Sequence, residues 1–192
     1  MYQKRNKRLA LLTLYLGSYT NQFYLREISE LTKIPLKTTQ NLLSELEKSK
    51  ILRGTIRGKN KYFGLNLDNI ETKFYLLQSE IYKTLLFLGK YPLSKTFIKG
   101  LESNMPLIVF GSFAKFAAKA GSDLDILAIS KLDGNFDIPS HLLPYKIHKI
   151  DLTYDQFLSE DDNTLLKEVA ENHIVLNNHS FYVNAMWRKN AK

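Results

Sequence analysis

The sequence predicts an α+β protein in two parts, with an N-terminal domain over 1–68, a helical connector over 69–104 and a C-terminal domain over 105–192. Apolar residues in the first 50 positions repeat at helical spacing, and two short β-like runs follow them. The later run PLIVFG is apolar on both faces, as in a strand that is covered on both sides of a sheet. The length of 192 residues suits two small domains, since one domain usually contains roughly 100–150 residues.

Three helices are predicted before residue 50. The first runs over 6–16 and ends at Gly17, and the second lies within 25–33. The third runs over 36–48 and follows Pro35, which suits the first turn of a helix because proline has no N–H to leave unpaired. The apolar residues that define these helices are Leu9, Leu12, Tyr15, Leu16, then Leu25, Ile28, Leu31, and then Leu42, Leu43, Leu46.

A β-hairpin is predicted next, because two β-like runs in ILRGTIRGKNKYFGLNL flank the turn signal Gly-Lys-Asn. With its helices, the stretch 6–67 resembles the winged helix-turn-helix domains of prokaryotic transcription regulators. That resemblance implies that the third helix contacts base edges and that the hairpin, or wing, lies against phosphates or the minor groove. The residues expected to bind DNA are Lys37, Thr38, Thr39, Gln40 and Asn41 in the helix and Arg53, Arg57, Lys59 and Lys61 in the wing.

The net charge of +8 is confined to the predicted N-terminal domain. Residues 1–68 contain 13 Lys and Arg against 5 Asp and Glu, whereas residues 69–192 contain 14 of each class. A local excess of cations favours a polyanion through phosphate contacts and counterion release. The alternatives are basic residues that serve only solubility and a winged helix that contacts only other proteins.

Composition excludes several classes of protein. The contents of 44% apolar and 24% charged residues are those of an ordinary globular chain. No apolar run approaches the ~20 residues of a membrane span, and the basic start lacks a small-residue cleavage site, so we expect a cytoplasmic protein without membrane contact. The absence of cysteine excludes disulfides and thiolate metal sites, so a bound metal would need carboxylates or His.

The connector contains an amphipathic helix over about 70–88 and a short helix over about 94–103. Its apolar residues repeat every three or four positions: Phe74, Leu77, Ile81, Leu85 and Leu88. The helix is interpreted either as a homodimer contact, as in many winged-helix regulators, or as a packing bridge between the two domains.

Chemistry is predicted in the C-terminal domain, where a buried strand ends at Gly111-Ser112 and FAKFAAKA indicates a helix. Backbone N–H groups at a helix N-terminus favour a phosphate. The next strand, GSDLDILAI, points Asp123 and Asp125 to one face because side chains alternate along a strand. Two aligned carboxylates need a cation, and Mg²⁺ prefers oxygen ligands.

A third carboxylate is expected from the run YKIHKIDLTY, which offers Asp151; Asp155 and Asp137 are the alternatives. Lys149 shares the face of Asp151 and could assist phosphates or neutralise the carboxylate. The remaining titratable candidates, His148, His173 and His179, are expected to be structural or exposed rather than catalytic, because none has partners at ligand spacing.

The string GSFAKFAAKAGSDLDILAI resembles the Gly-Ser, spacer, Asp-x-Asp motif of the DNA polymerase β-like nucleotidyltransferases, in particular the minimal ones, and the likeness covers about 105–177. It implies a mixed sheet flanked by helices and use of a nucleoside triphosphate, with ATP as the expected donor, together with Mg²⁺ or Mn²⁺. The implied metal-binding and catalytic residues are Asp123, Asp125 and Asp151. The implied nucleotide-binding residues are Gly111, Ser112, Lys115 and Ser122. One departure is Phe116, which stands where relatives commonly have glycine.

Three functional hypotheses follow. The first is an enzyme that transfers NMP to a hydroxyl group, on a small molecule or on a partner protein such as a cognate toxin. The second is a DNA-binding transcription regulator whose nucleotidyltransferase-like domain senses nucleotides or is inactive. The third is a scaffold for protein contacts.

Overall fold

The computed structural model describes residues 6–101, 105–130, 139–159 and 163–191. They form an α+β fold with two separate sheets, as the sequence predicts. The chain divides into two compact units, and we treat each one by itself. The N-terminal unit contains the residues up to Tyr82 together with those from Met186 onward, and the C-terminal unit is Lys83–Ala185. The predicted connector therefore does not form a unit of its own, because the boundary falls inside its long helix.

The N-terminal unit begins with helix α1, Lys7–Leu12, which continues as a 3₁₀ turn over Thr13–Tyr15. The side chain of Asn6 accepts a hydrogen bond from the N–H of Leu9 and so caps the first turn. Helices α2, Leu25–Thr32, and α3, Leu36–Lys48, confirm the second and third predicted helices. Leu31, one of the apolar residues that define the predicted helix, is 55% exposed, because the short α2 buries its Ile28 side.

A three-stranded antiparallel sheet follows, in the order β1-β3-β2. The predicted hairpin is confirmed as β2, Leu52–Arg57, and β3, Asn60–Leu65. A short strand that was not predicted, β1, Gln22–Tyr24, pairs with β3. The core beneath the sheet combines residues from helices and strands: Leu11, Leu12, Tyr15, Ile28, Leu43, Leu46, Ile51, Leu52 and Phe63.

Tyr15 links the helices to the hairpin. Its phenol is fully buried and donates a hydrogen bond of 2.9 Å to the carbonyl oxygen of Phe63 in β3. Burial raises the pKa of the Tyr15 phenol, so the hydroxyl stays protonated and keeps donating. The hairpin is therefore held at its base, while its tip projects away from the core.

Helix α4, Ile70–Lys90, buries a different face from the one that its apolar spacing predicts. Three residues of the predicted face are exposed: Phe74, Ile81 and Leu85. The buried side includes Thr72 and Ser79, whose hydroxyls each donate a 2.8 Å hydrogen bond, to the carbonyl oxygens of Asn66 and Tyr75. Small hydroxyl side chains can be buried when backbone carbonyl groups accept their hydrogen bonds. A search for regularly spaced apolar residues does not find such positions. A homodimer contact through this helix stays a prediction.

A four-stranded mixed sheet, in the order β6-β5-β4-β7, forms the centre of the C-terminal unit. Its strands are β4, Leu107–Phe110, β5, Leu124–Ser130, β6, Ile147–Thr153, and β7, Ile174–Asn177. Strand β4 is antiparallel to both β5 and β7, and β5 is parallel to β6. Every side chain of β4 is buried, as the apolar run predicts.

The short helices of this unit include α5, Ser94–Lys99, α6, Gly111–Ala114, α7, Tyr154–Leu158, and α8, Thr164–Glu171. Helix α9, His179–Asn190, begins in this unit, and its residues from Met186 onward belong to the N-terminal unit. Helix α8 is followed closely by β7. One face of the sheet packs on a core that includes Phe87, Phe97, Phe113, Leu124 and Ile126. Within the described part of the chain, no helix has both the length and the apolar character that crossing a bilayer requires.

The helix predicted from FAKFAAKA is wrong in extent, because α6 is a single turn that ends at Ala114. Phe116 has a φ of 55°, in the left-handed region, where a helix cannot continue. The N–H of Ala117 donates to the carbonyl oxygen of Ser112 at 2.9 Å and closes this turn. One turn provides little of the dipole that a phosphate would need at a helix N-terminus.

Candidate functional site

The first candidate site is the surface formed by α3 and the hairpin in the N-terminal unit. Lys37, Gln40 and Asn41 are exposed along the first turns of α3, and Thr38 is half-buried. At the tip of the hairpin Arg57 and Lys59 are exposed. We use the name α3–hairpin surface for the exposed side chains of these two elements: Lys37, Gln40, Asn41, Arg57, Lys59 and Lys61.

Thr39 does not belong to that surface, and its assignment as a DNA-binding residue is wrong. It is fully buried, and its hydroxyl lies 3.2 Å from the carbonyl oxygen of Ile34 and 3.3 Å from that of Pro35. The hydroxyl therefore holds the turn before α3 against the helix. In a helix that faces solvent on one side, five consecutive residues cannot all be exposed.

Two of the predicted basic residues of the wing are already in ion pairs. The Arg53 guanidinium lies 2.7 Å from a carboxylate oxygen of Asp68, and the Lys61 ammonium lies 2.7 Å from Glu47. Exposed pairs of this kind contribute about 0–1 kcal/mol, so a phosphate can compete for the cation. Arg57 lies over the ring of Tyr62, with 5.8 Å between the guanidinium carbon and the ring centroid.

A groove between α3 and the hairpin brings separate parts of the sequence together. Gln40 and Ser44 of α3 line one side, Lys59 and Lys61 line the other, and Arg26 of α2 joins them. Arg26 was not among the predicted residues, since a single basic residue in a short helix carries no signal without the tertiary structure. Arg26 therefore adds one cation to the basic residues that were predicted from the wing.

The second candidate site lies in the C-terminal unit, where β4 ends beside β5. The pairing of Phe110 with Asp125 places Gly111 against the Asp125 side chain. Gly111 has a φ of 65°, and a Cβ at this position would overlap an Asp125 carboxylate oxygen. Glycine is favoured here, because the backbone is left-handed and any Cβ would have to displace the carboxylate of Asp125.

Asp125 lies in β5 and Asp123 directly precedes it; alternation along the chain puts their side chains on one side, while Leu124 and Ile126 are buried in the core on the other side. The Asp123 side chain is 45% exposed and that of Asp125 26% exposed. Each carboxylate has a basic neighbour from the β6 segment. The ammonium of Lys146 lies 3.7 Å from Asp123, and Nδ1 of His148 lies 3.1 Å from Asp125. We call these four side chains and Gly111 the acidic site.

Asp151 does not join the acidic site, which corrects the predicted triad. In the parallel pairing of β5 with β6, Asp125 lies opposite His148, and Asp151 lies opposite Ala128. Paired residues share a face, and successive residues alternate, so Asp151 and Asp125 are on opposite faces of the sheet. Asp151 instead pairs with Lys149 at 2.9 Å, so this lysine neutralises the carboxylate.

The other two acids considered for the third position do not supply it. Asp155 lies in the first turn of α7, beyond the end of β6. Asp137 lies outside the described residues.

The residues expected to hold the nucleotide are placed as follows. Ser112 is half-buried in α6 beside Gly111. The Lys115 ammonium is 3.3 Å from a carboxylate oxygen of Glu168. The hydroxyl oxygen of Ser122 accepts a 2.9 Å hydrogen bond from the N–H of Lys119 and closes the loop before β5. Gly111 is the residue of this set that lies against the carboxylate of Asp125.

Phe116 packs partly against the core of the C-terminal unit. The ammonium of Lys90 donates a hydrogen bond to its carbonyl oxygen and lies 5.8 Å from its ring centroid. Its left-handed φ is a conformation that glycine adopts at no steric cost. The aromatic ring thus contributes packing at a strained position.

His148 is exposed, as expected, and its Nδ1 lies 3.1 Å from a carboxylate oxygen of Asp125 in the acidic site. The expectation of a structural His173 is confirmed, since this residue is fully buried, with Nδ1 3.0 Å from the carbonyl oxygen of Ala170. His179 lies 2.9 Å from the hydroxyl of Thr84.

The donors of the acidic site do not match the magnesium site that the family resemblance implies. Among residues 6–101, 105–130, 139–159 and 163–191, no three His, Cys, Asp or Glu side chains come together in a group that could hold a metal ion. Mg²⁺ binds through carboxylate oxygens, and here the third carboxylate is on the other face of the sheet while an imidazole lies beside Asp125.

No family model matches the chain, and neither a curated protein nor a solved structure does.

Proposed function

We propose that the chain is a DNA-binding regulator whose N-terminal unit binds the duplex as a winged helix-turn-helix. The single observation that carries this proposal is the α3–hairpin surface. Its Gln40 from α3 and its Lys59 and Lys61 from the hairpin line one groove, which Arg26 of α2 and Glu47, the partner of Lys61, also line. The net charge of residues 1–68 gives the same surface an attraction for phosphate.

The arrangement suits the dimensions of DNA. A major groove about 12 Å wide accepts an α-helix, whose first turns then lie against base edges. In this unit the exposed positions of the first turns of α3 carry Lys37, Gln40 and Asn41, which can donate to or accept from bases. The exposed hairpin tip with Arg57 and Lys59 would contact the neighbouring phosphates.

Removing the two cations at the hairpin tip should weaken binding to every DNA sequence by about the same factor. For the double variant Arg57→Ala with Lys59→Ala, we expect the slope of log K against log salt concentration to fall by about 2, since each phosphate contact contributes roughly 0.9. At about 0.1 M salt that loss corresponds to an affinity on the order of 50-fold lower. Fluorescence anisotropy with a labelled duplex from the promoter of its own gene, at several salt concentrations, measures both quantities.

The matched control removes the same charge elsewhere. Lys95 and Lys99 are exposed in α5 of the C-terminal unit, so Lys95→Ala with Lys99→Ala should leave the salt slope unchanged. Equal losses in both double variants would mean that net charge, and not the α3–hairpin surface, drives binding. No binding of the wild-type chain to duplex DNA at low salt would refute the proposal.

Nucleotidyl transfer is the second candidate function, and the contact of Gly111 with Asp125 beside Asp123 favours it. The activity would move NMP from a triphosphate such as ATP to a hydroxyl, with a partner protein such as a toxin as one acceptor. It ranks second because Asp151 is on the other face of the sheet. Transfer of label from an α-labelled triphosphate, lost on Asp123→Asn with Asp125→Asn, would reverse this ranking. Absence of heat in calorimetry with ATP, GTP, CTP and UTP in the presence of Mg²⁺ would count against a nucleotide site.

A further inference from the structure

The three carboxylates that the sequence assigns to a metal each have a basic partner from one segment of four residues. Lys146 lies 3.7 Å from Asp123, His148 3.1 Å from Asp125 and Lys149 2.9 Å from Asp151. Aligned carboxylates repel each other and need positive charge or hydrogen-bond donors nearby. The chain supplies both from its own side chains.

His148 occupies the place from which a third ligand would have to come. Neighbouring strands lie about 4.7–4.9 Å apart, and paired residues point to the same face. Because Asp125 pairs with His148, position 148 is the site on β6 closest to the Asp123 and Asp125 face. Position 151 is three residues further along and faces the other way.

An imidazole at this position opposes binding of a hard cation. Mg²⁺ and Mn²⁺ favour carboxylate oxygens over imidazole nitrogen. The Nδ1 atom of His148 also lies at hydrogen-bond distance from Asp125, so it engages one of the carboxylate oxygens that a metal would use. Lys146 reduces the negative charge at Asp123 in the same way.

We propose that His148 replaces the third carboxylate of the acidic site, and that side-chain contacts to Asp123 and Asp125 stand in for the metal ions that the resemblance implies. The wild-type C-terminal unit then holds no divalent pair, so this inference and the second candidate function, nucleotidyl transfer, exclude each other for the wild-type chain. The substitution His148→Asp alone is sufficient to create a Mn²⁺ site. This inference concerns the C-terminal unit only and does not depend on DNA binding by the N-terminal unit.

The test measures binding of Mn²⁺ to the full chain from the loss of the free-ion signal in electron paramagnetic resonance. Wild type, His148→Asp and His148→Asn are compared, and the asparagine variant removes the imidazole without adding a carboxylate. Changes around metal ligands alter affinity by roughly 10–100-fold, so His148→Asp should bind Mn²⁺ at least about tenfold more tightly than the other two proteins. Adding Asp125→Asn to His148→Asp should remove that gain, whereas adding Asp151→Asn should not.

Several outcomes would overturn the proposal. In the first, the wild-type chain binds Mn²⁺ as tightly as His148→Asp does, and Asp125→Asn abolishes that binding. Another is a His148→Asp protein, with an unchanged circular dichroism spectrum, that binds Mn²⁺ no better than His148→Asn. If His148→Asp does not fold, His148→Glu tests the same position, and the wild-type measurement tests the proposal without any variant.

Discussion

Gly111→Ala is expected to destabilise the C-terminal unit by about 2–4 kcal/mol, which is a large part of the 5–15 kcal/mol that stabilises a typical domain. About 1–2 kcal/mol of this loss comes from placing a side chain at a φ of 65°. The remainder, about 1–2 kcal/mol, comes from overlap of the new Cβ with Asp125. To relieve that overlap, the Asp125 carboxylate would have to turn away, and its contact with His148 would be lost.

The chain offers a control that separates the two causes. Gly121 also has a positive φ, of 84°, but nothing lies within 4 Å of the position that its Cβ would take. Gly121→Ala should therefore cost only the backbone strain. Urea denaturation of both variants measures the difference in free energy of unfolding.

A double-mutant cycle tests the contact itself. With Asp125→Ala already present, Gly111→Ala should cost no more than Gly121→Ala does, because the overlapping oxygen has been removed. If Gly111→Ala and Gly121→Ala have the same effect in the wild-type background, Asp125 does not lie against Gly111.

The double substitution Gln40→Ala with Asn41→Ala should remove sequence discrimination while leaving non-specific DNA binding intact. Each good contact between a side chain and a base edge contributes about 1–3 kcal/mol of discrimination, so losing two should cost roughly 2–6 kcal/mol at the preferred site. Neither residue is charged, so the salt slope should stay unchanged. Competition binding with a duplex enriched from a randomised library, against a scrambled duplex, measures the ratio.

Thr39→Val provides the matched control from the same helix. It removes a buried hydroxyl that lies 3.2 Å from the carbonyl oxygen of Ile34, and so it should lower the free energy of unfolding by about 1 kcal/mol. Its discrimination ratio should equal that of the wild-type chain, because Thr39 cannot reach DNA. A ratio that falls with Thr39→Val but not with the double variant would contradict the assignment of exposed α3 residues to base contacts.

Elements that depend on local signals could be predicted from the sequence. Helix α3 begins directly after Pro35 and has leucines at helical spacing, and its observed range matches the prediction. The hairpin turn falls at the predicted Gly58, between Arg57 and Asn60. These signals involve neighbours within a few residues, so they need no tertiary information.

Features that depend on packing between elements could not be predicted in this way. The buried face of α4 carries Thr72 and Ser79, because backbone carbonyl groups accept their hydrogen bonds. Strand β1 contains only three residues and forms because β3 offers a free edge for it to pair with. Neither feature leaves a periodic pattern in the sequence.

The acidic site shows the same division. The side-by-side placement of Asp123 and Asp125 follows from alternation within one strand, and the structure agrees with it. Whether His148 or Asp151 lies beside Asp125 depends on the register of β6 against β5. A shift of that register by an odd number of residues would exchange the two faces of β6. A single strand sequence contains no information about that register, which explains why the predicted triad is incomplete.

The most direct measurement of the central proposal is a titration of the ¹⁵N-labelled chain, of 22.2 kDa, with a short DNA duplex at low salt, followed by amide chemical shifts. We expect the largest changes at the amides of 36–44 in α3 and of 57–61 in the hairpin. The amides of β4 and β5 should remain unperturbed. Shifts confined to 83–185, or no shifts at all, would contradict DNA binding through the N-terminal unit.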